Sequence, residues 1–434
     1  MEPITIGLIG IVLLLFLLFC FHIPVGFAMA LVGFIGFAAV VSPKAAMATV
    51  GTELWQTFSS YGLAVIPFFI FMGNICFQSG VSKRLYETAY AWIGHIRGGI
   101  AMATVAACAS FAAICGSNAA TAATMSAVAL PEMKRLGYHK ALSTGVVAGG
   151  ATLGVVIPPS VVLIVIGLST GLSIAQLFFA ALIPGIILSV LFFITVWILC
   201  ISFPDWGPPG PKVGWKERIK SLSGSIEMLI LFGLVMSGLY LGWFTPTEAG
   251  AAGAFFSLLI AFARKSLTKE TFWKAVEDSV RTSCMILMIV AGAVIFGRFL
   301  TITRLPFEAA DFVAGLPFSK NIILMAMLLI YIIGGAIMDA LGLLMITIPI
   351  FFPVAEKLNF DPLWFAILIT IITTMGAITP PVGINTFIVA GMDKETDLAV
   401  VFKGVSYFLA AFIICIVILF LFPQTATYLP GLLR

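Results

Sequence analysis

Two Pro-Pro pairs, 222 residues apart and each inside an apolar stretch, constrain this chain more than any other feature. The first closes Gly154-Val155-Val156-Ile157-Pro158-Pro159 and the second Gly376-Ala377-Ile378-Thr379-Pro380-Pro381. The same offset pairs Pro131 with Pro353, Lys134-Arg135-Leu136 with Glu356-Lys357-Leu358, and Ser117 with Asp339. Upstream, Phe71-Met72-Gly73 matches Ile295-Phe296-Gly297 at an offset of 224, so a small indel separates the two registers. The chain is two copies of one unit, each with a broken helix. In a membrane chain, paired interruptions of this kind point to a transporter's binding site.

Membrane residence follows from composition, with 61% hydrophobic and only 10% charged residues. Runs long enough to span recur at Ile4–Phe21, Val25–Val41, Leu63–Phe77, Leu177–Ile201, Met228–Trp243, Ala249–Ala263, Met285–Leu300, Leu363–Ile378 and Val405–Phe422. The first run lacks a basic lead-in, carries Glu2 and precedes another span, so it reads as a span and not a leader. Seven cysteines lie scattered with no CxxC pair, and His22, His95 and His139 are isolated, so no metal cluster is expected. No phosphate-binding G-x-x-x-x-G-K-[ST] loop occurs, which excludes ATP by that route. The net charge of +4 reflects loop asymmetry and no nucleic-acid footprint.

If the loops around 82–97, 132–140, 203–225, 264–281 and 393–403 face the cytoplasm, they hold 17 of the 23 Lys and Arg. Lys44, Arg298, Arg304, Lys320, Lys357 and Arg434 remain for the other side. Positive charge favours the inside, so this orientation is expected, with both termini outward. The loop at 132–140 has three basic residues and its counterpart at 354–362 has one, so equivalent loops face opposite sides. The repeats are therefore read as inverted.

Gly98–Pro131 is 34 residues long and interrupted at Gly116-Ser117-Asn118, too short for two crossings of about 20 residues each. A re-entrant hairpin fits, as it does for Lys320–Pro353, interrupted at Gly334-Gly335 and Asp339-Ala340. Amphipathic stretches at Val81–Gly99 and Pro306–Ser319 read as interfacial helices. The expected fold is an all-α polytopic membrane protein with inverted repeats, two re-entrant hairpins and two broken helices. Residues 1–80 supply N-terminal scaffold helices, and 81–202 the first repeat unit (hairpin 98–131, broken helix 138–172, helix 176–201). A cytoplasmic linker with four prolines follows at 203–225, then second scaffold helices at 226–303. The second, inverted unit covers 304–422 (hairpin 320–353, broken helix 362–392), before a tail at 423–434.

A proline removes its own N–H and frees the carbonyl four residues back. The breaks thus free the oxygens of Gly154 and Val155, and of Gly376 and Ala377. In hydrocarbon such groups need a partner, and a dehydrated Na⁺ suits a cluster of carbonyls. The hairpin tips, Ala112–Asn118 and Gly334, Gly335 and Asp339, would close each cage, with Thr379 adding a hydroxyl. The half-helices after the breaks aim their positive ends at the same place, which favours an anion. Packing alone accounts for many small residues at 118–124, and a lone kink for a single proline, but not for two breaks in register. Asp339 is an acid inside an apolar stretch, either a ligand or a helix cap. Arg298 and Arg304 end a span, by snorkelling or for anion attraction, and Asn385 reads as a pocket ligand or an interhelix bond. The substrate candidates are Ser117, Asn118, Asp339, Thr379, Asn385 and Arg298. A proton-coupled carrier or antiporter would titrate Asp339 instead. A channel lacks enough polar lining, and a membrane enzyme lacks a catalytic cluster, so no enzyme is expected.

The tip Gly116-Ser117-Asn118-Ala119-Ala120-Thr121 and the breaks Gly154…Pro158-Pro159 and Gly376…Thr379-Pro380-Pro381-Val382-Gly383-Ile384-Asn385 resemble the large membrane subunit of TRAP (tripartite ATP-independent periplasmic) transporters. The resemblance covers essentially the whole chain. It implies an elevator-type secondary transporter, related to the ion-transporter superfamily, in a bacterial or archaeal inner membrane. It implies sodium as coupling ion without ATP, held near Ala112, Cys115, Gly154, Ile157 and Pro159, and near Gly335, Gly376, Thr379 and Val382. Ala112 and Cys115 stand where many relatives are expected to carry hydroxyls. That departure matters little if the ligands are backbone carbonyls and removes donors if they are side chains. The implied partners are a small four-helix membrane subunit and a periplasmic binding protein delivering an organic anion such as a C4-dicarboxylate, sialic acid or 2-oxo acid.

Overall fold

The computed structural model describes residues 2–432. Regular structure among them is helical throughout, as hydrocarbon requires of a chain that must satisfy each backbone N–H and C=O within a crossing segment. Ten helical segments among the described residues are long and apolar enough to cross a bilayer.

The N-terminal group comprises α1 (Pro3–Phe21), α2 (Val25–Val40), α3 (Pro43–Phe58) and α4 (Val65–Gln78), followed by the amphipathic α5 (Val81–Ile93). The first hairpin pairs α6 (Gly99–Cys115) with α7 (Asn118–Arg135). The first broken helix is α8 (Lys140–Ala151), the short α9 (Leu153–Val156) and, past the prolines, α10 (Val161–Thr170). After α11 (Ile174–Ser202) come α12 (Trp215–Tyr240), α13 (Pro246–Ala263), α14 (Lys269–Thr303) and α15 (Leu305–Ala314). The second hairpin pairs α16 (Lys320–Ile337) with α17 (Ala340–Lys357), and the second broken helix is α18 (Pro362–Gly376) and α19 (Ile384–Met392). The chain closes with α20 (Leu398–Leu421) and α21 (Gln424–Gly431). At an offset of 222, α7 maps onto α17 at both ends, the last residue of α6 onto that of α16, and the first of α8 onto that of α18.

The hairpins enter from opposite ends of the molecule. Leu130, Pro131 and Lys134 of α7 share a cleft with Lys140, where α8 starts, and with Met392 and Asp393, where α19 ends. Pro349 and Pro353 of α17 share another cleft with Ser169, near the end of α10. The 31-residue segment Lys140–Thr170 runs from the first cleft to the second and is long enough to span the bilayer between them. The inversion inferred from loop charge is thus present in the packing. Scaffold helices α2 and α14 touch backbone to backbone: a Cβ on Gly292 would stand 2.1 Å from the Gly26 carbonyl oxygen.

Three boundaries differ from those read in the sequence. Residues 215–225 of the expected linker are the first turns of α12, so the extended linker ends at Gly214. Trp215, Ile219, Leu222 and Ile226, spaced for one helical face, point outward, while Thr88 of α5 donates to the Ser221 carbonyl at 2.7 Å. Thr245 and Glu248, which lie between the apolar runs Met228–Trp243 and Ala249–Ala263, form the capping box that starts α13. The expected tail at 423–434 contains α21, with Ala426 and Pro430 buried against the bundle.

The linker is tied to the first repeat through His139, whose imidazole stacks on Trp206 with centroids 4.4 Å apart. Its Nδ1 accepts the Ala141 N–H at 3.2 Å and caps α8. Desolvation, aided by the Lys403 charge, holds this imidazole below the ordinary histidine range. The unfolded chain therefore takes up the proton first, and stability is complete above about pH 6.5 and declines below it. The melting temperature of detergent-purified protein is expected to fall between about pH 7 and 5.5, and His139→Gln to flatten that fall. An equal decline in the variant would remove His139 as its cause.

A candidate substrate cavity where the two hairpin tips meet

Each hairpin tip reverses the chain and starts a new helix. At the first, Gly116 adopts a left-handed φ of +62°, and a Cβ there would stand 2.9 Å from the Pro159 carbonyl oxygen. Glycine is needed on both counts. Ser117 then caps α7, its Oγ accepting the Ala120 N–H at 3.4 Å. At the second tip Asp339 caps α17, with Oδ2 accepting the Leu341 N–H at 3.1 Å.

The tips converge. A cavity of about 320 Å³ is lined by Cys115, Ser117 and Asn118 from one hairpin and Asp339, Ala340 and Leu341 from the other. Its remaining wall is Ile70 and Asn74 of α4, Thr282, Met285 and Ile286 of α14, and Val155, Val161 and Val162 at the first break. The N-termini of α7 and α17 both open onto it, and the positive ends of their helix dipoles favour a negative guest. Asn118 Oδ1 has no hydrogen-bond partner among the described residues. Asn74 donates to Ser279 Oγ at 2.9 Å and is thereby oriented. No Lys or Arg is among the lining residues.

Beside the cavity each tip is pressed onto the opposing break of its own repeat. A Cβ on Gly154 would stand 2.6 Å from the Ser117 carbonyl oxygen, while Ala112 accepts the Gly116 N–H at 3.2 Å. Ile157 donates its N–H to Leu153 at 2.9 Å and ends α9. The carbonyls of Gly154 and Val155 receive no hydrogen bond among the described residues. Ser160 Oγ, wholly buried, has no partner there either. At the second break, Gly335 and Gly376 meet backbone to backbone, and Ala336 accepts the N–H groups of Val382 and Gly383 at 3.2 and 3.3 Å. The Thr379 hydroxyl donates to Met375 at 2.9 Å.

The second break departs from expectation. Its freed carbonyls are already met: Gly376 accepts from Thr379 N–H at 2.9 Å, and Ala377 from Asn385 N–H at 3.0 Å. Gly383, at a φ of +58°, folds the chain back so that the Asn385 amide reaches Ala377. A carbonyl oxygen has two lone pairs, so a cation is still admissible. Both donor sets consist of hard oxygens and fit a sodium ion, the first with the larger number of unpartnered groups.

Of the six substrate candidates, Ser117, Asn118 and Asp339 line the cavity. The other three lie elsewhere. Asn385 is fully buried against α8, with Nδ2 donating to Ala148 at 3.4 Å. Thr379 remains at the second break. Arg298 pairs through Nε with Glu53 Oε1 at 2.7 Å and lines a different cleft. Sequence reasoning missed Asn74 and Thr282, although Asn74 is the one amide within the run Val65–Phe77.

The family model and the curated relatives agree on one family. Residues 12–425 match the model for "Tripartite ATP-independent periplasmic transporter, DctM component". The C4-dicarboxylate TRAP transporter large permease protein DctM of Pseudomonas aeruginosa is 33% identical over 380 residues, covering 87% of this chain and 88% of that protein. Its Vibrio cholerae counterpart is also 33% identical, covering 90% of each. Among solved structures, the YdaH transporter of Alcanivorax borkumensis shares the fold, with a TM-score of 0.64 at 13% identity over 87% of this chain and 89% of that one. The two DctM relatives are named as transporter permeases and not as enzymes. The chain, a multi-pass membrane protein of inverted helical repeats, belongs to the DctM-component family of tripartite ATP-independent periplasmic transporters.

Proposed function

We propose that this chain is the large permease subunit of a sodium-coupled uptake system that carries an organic anion in the cavity between its hairpin tips. The observation that carries the reading is the convergence of two hairpin tips and two helix N-termini on one cavity against α4 and α14. The hairpins and broken helices would move as a body against the scaffold helices, as an elevator. The unpartnered oxygens at the first break and the carbonyl-rich second break are the candidate sodium sites. Relatives are named for C4-dicarboxylate, isethionate and 2,3-diketo-L-gulonate, which supports a small organic anion as cargo.

A periplasmic binding protein would deliver that anion, and a small membrane subunit would flank the scaffold. The isethionate relative of Oleidesulfovibrio alaskensis is named DctMQ, and this chain covers 53% of it. The basic loops support an inner-membrane orientation with both termini periplasmic. Two Na⁺ with a monoanion move one net charge, worth about 2.3 kcal/mol per 100 mV. Hundredfold accumulation needs about 2.7 kcal/mol, so the membrane potential and sodium gradient suffice without ATP.

The test is uptake of candidate carboxylates into liposomes containing this chain and its small subunit, with and without an inward sodium gradient and the binding protein. Dependence on both is expected. Uptake indifferent to sodium and driven by a pH gradient would overturn the ion sites and move coupling to Asp339. In the same assay Thr379→Ala should raise the sodium concentration for half-maximal uptake severalfold while leaving the protein level intact. An unaltered sodium requirement would remove Thr379 from the ligand set.

A further inference from the structure

The symmetry that relates the two hairpins fails where they meet the scaffold. The α4–α5 junction maps onto the α14–α15 junction at an offset of 224. Gly80 and Arg304, both left-handed with φ of +75° and +60°, precede α5 at Val81 and α15 at Leu305. In that register Ile70, Gly73 and Asn74 of α4 correspond to Val294, Gly297 and Arg298 of α14. The hairpins correspond at 222, so Cys115 matches Ile337 and Ser117 matches Asp339.

Ile70 and Asn74 lie at the tip of the first hairpin, in the cavity with Ser117. A Cβ on Gly73 would stand 3.0 Å from the Cys115 Cα. Their counterparts are not at the tip of the second hairpin. Val294 and Arg298 face its shaft, at Met345, Pro349 and Pro353, across a cleft of about 350 Å³. Gly297 there has nothing within 4 Å of its Cβ position. Pro349 lies about 14 Å along α17 from the tip. One repeated interface therefore packs in two registers within a single structure.

Two packings of an inverted repeat are what alternating access requires, since exchanging them between the halves opens the site to the other side. We infer that in the opposite state α14 meets the second hairpin at its tip, as α4 meets the first here. Arg298 then enters the substrate cavity beside Asp339, where it supplies the cation that the cavity lacks in this state. The inference rests on the uptake function proposed above. Arg298 is held in position for that role: its Nε is taken by the buried Glu53 carboxylate. Its Nη groups have no hydrogen-bond partner among the described residues, and a guanidinium offers them to a carboxylate in a fixed fork. The anion is thus gripped by Arg298 in the outward-open state. It is released inward when the hairpin leaves that residue behind.

The experiment uses liposomes holding this chain with its small subunit and binding protein. In the double variant Gly297→Cys/Ile337→Cys, oxidation is followed by peptide mass spectrometry of the 297–337 cross-link. The link is expected to form during uptake, to stop it, and to be undone by reductant. Gly297 borders open space and Ile337 is 39% exposed, so both sites accept cysteine. Independently, Arg298→Gln should raise the KM for uptake by roughly tenfold or more, with Arg298→Lys recovering part of it. Absence of the link in protein that takes up substrate overturns the register exchange and leaves the uptake function standing. An unchanged KM in Arg298→Gln overturns the residue's role. If the unsubstituted complex shows no sodium-driven uptake, the function falls, and the link, scored in the same vesicles, still decides the exchange.

Discussion

Gly376→Ala should reduce the proposed sodium-driven uptake by roughly a hundredfold, because the residue stands where two backbones touch. A Cβ there would lie 2.3 Å from the Gly335 carbonyl carbon, 2.5 Å from its Cα and 2.7 Å from its oxygen. No rotamer change relieves such a clash, since nothing on the other side is a side chain. The tip of the second hairpin must back away from α18. The two hydrogen bonds that Ala336 accepts from Val382 and Gly383 lie one residue from the clash and are lost with it. Overpacking a rigid site costs about 1–3 kcal/mol, and each 1.4 kcal/mol is tenfold. Gly233→Ala in α12 is the control, because nothing lies within 4 Å of its Cβ position and alanine is the better helix former. Uptake by Gly376→Ala at the rate of that control would show that the tip and the break need not be in contact.

The second large effect is on stability. Glu227 of α12 is buried, with 5% of its surface exposed. It is held between Arg84 of α5, at 2.9 Å, and Arg264, which follows α13. Arg84 also donates to the Ser79 carbonyl and Arg264 to the Ser223 carbonyl, each at 2.9 Å. One carboxylate thus joins the ends of α4 and α13 to α5 and α12. Removing one partner of a buried pair costs about 3–5 kcal/mol because the other charge is stranded. Here the arginines are 25% and 42% exposed, so water recovers part, and about 2–3 kcal/mol is expected for Glu227→Ala. The melting temperature of the detergent-solubilised protein should fall by several degrees. Glu227→Gln should lose less, and Arg84→Ala added to Glu227→Ala should recover some of the loss. A Glu227→Ala protein that melts with the wild type would mean the guanidiniums find water or other acceptors without cost.

The division between what could be read and what could not follows residue by residue. Covalent order preserves a duplication, so the offset of 222 alone pairs Ser117 with Asp339 and predicts that α7 and α17 begin and end together. Composition, loop charge and proline chemistry determine a membrane protein of inverted repeats with two breaks, because the bilayer admits few alternatives to helices. In helices apolar on every side, however, periodicity does not say which face meets which neighbour. Only the packing brings Ser117, Asn118 and Asp339 into one cavity with Asn74 and Thr282. The same packing sends Asn385 into the α8 interface and pairs Arg298 with Glu53, 245 residues away. Likewise the carbonyls freed by Pro380 and Pro381 are identifiable from order along the chain, yet their partners depend on how Gly383 turns the backbone. Sequence by itself determined the repeat, the breaks and the solvent the chain must satisfy. Tertiary structure decided which of the candidate groups share a site, since that depends on long-range contacts that local composition does not encode.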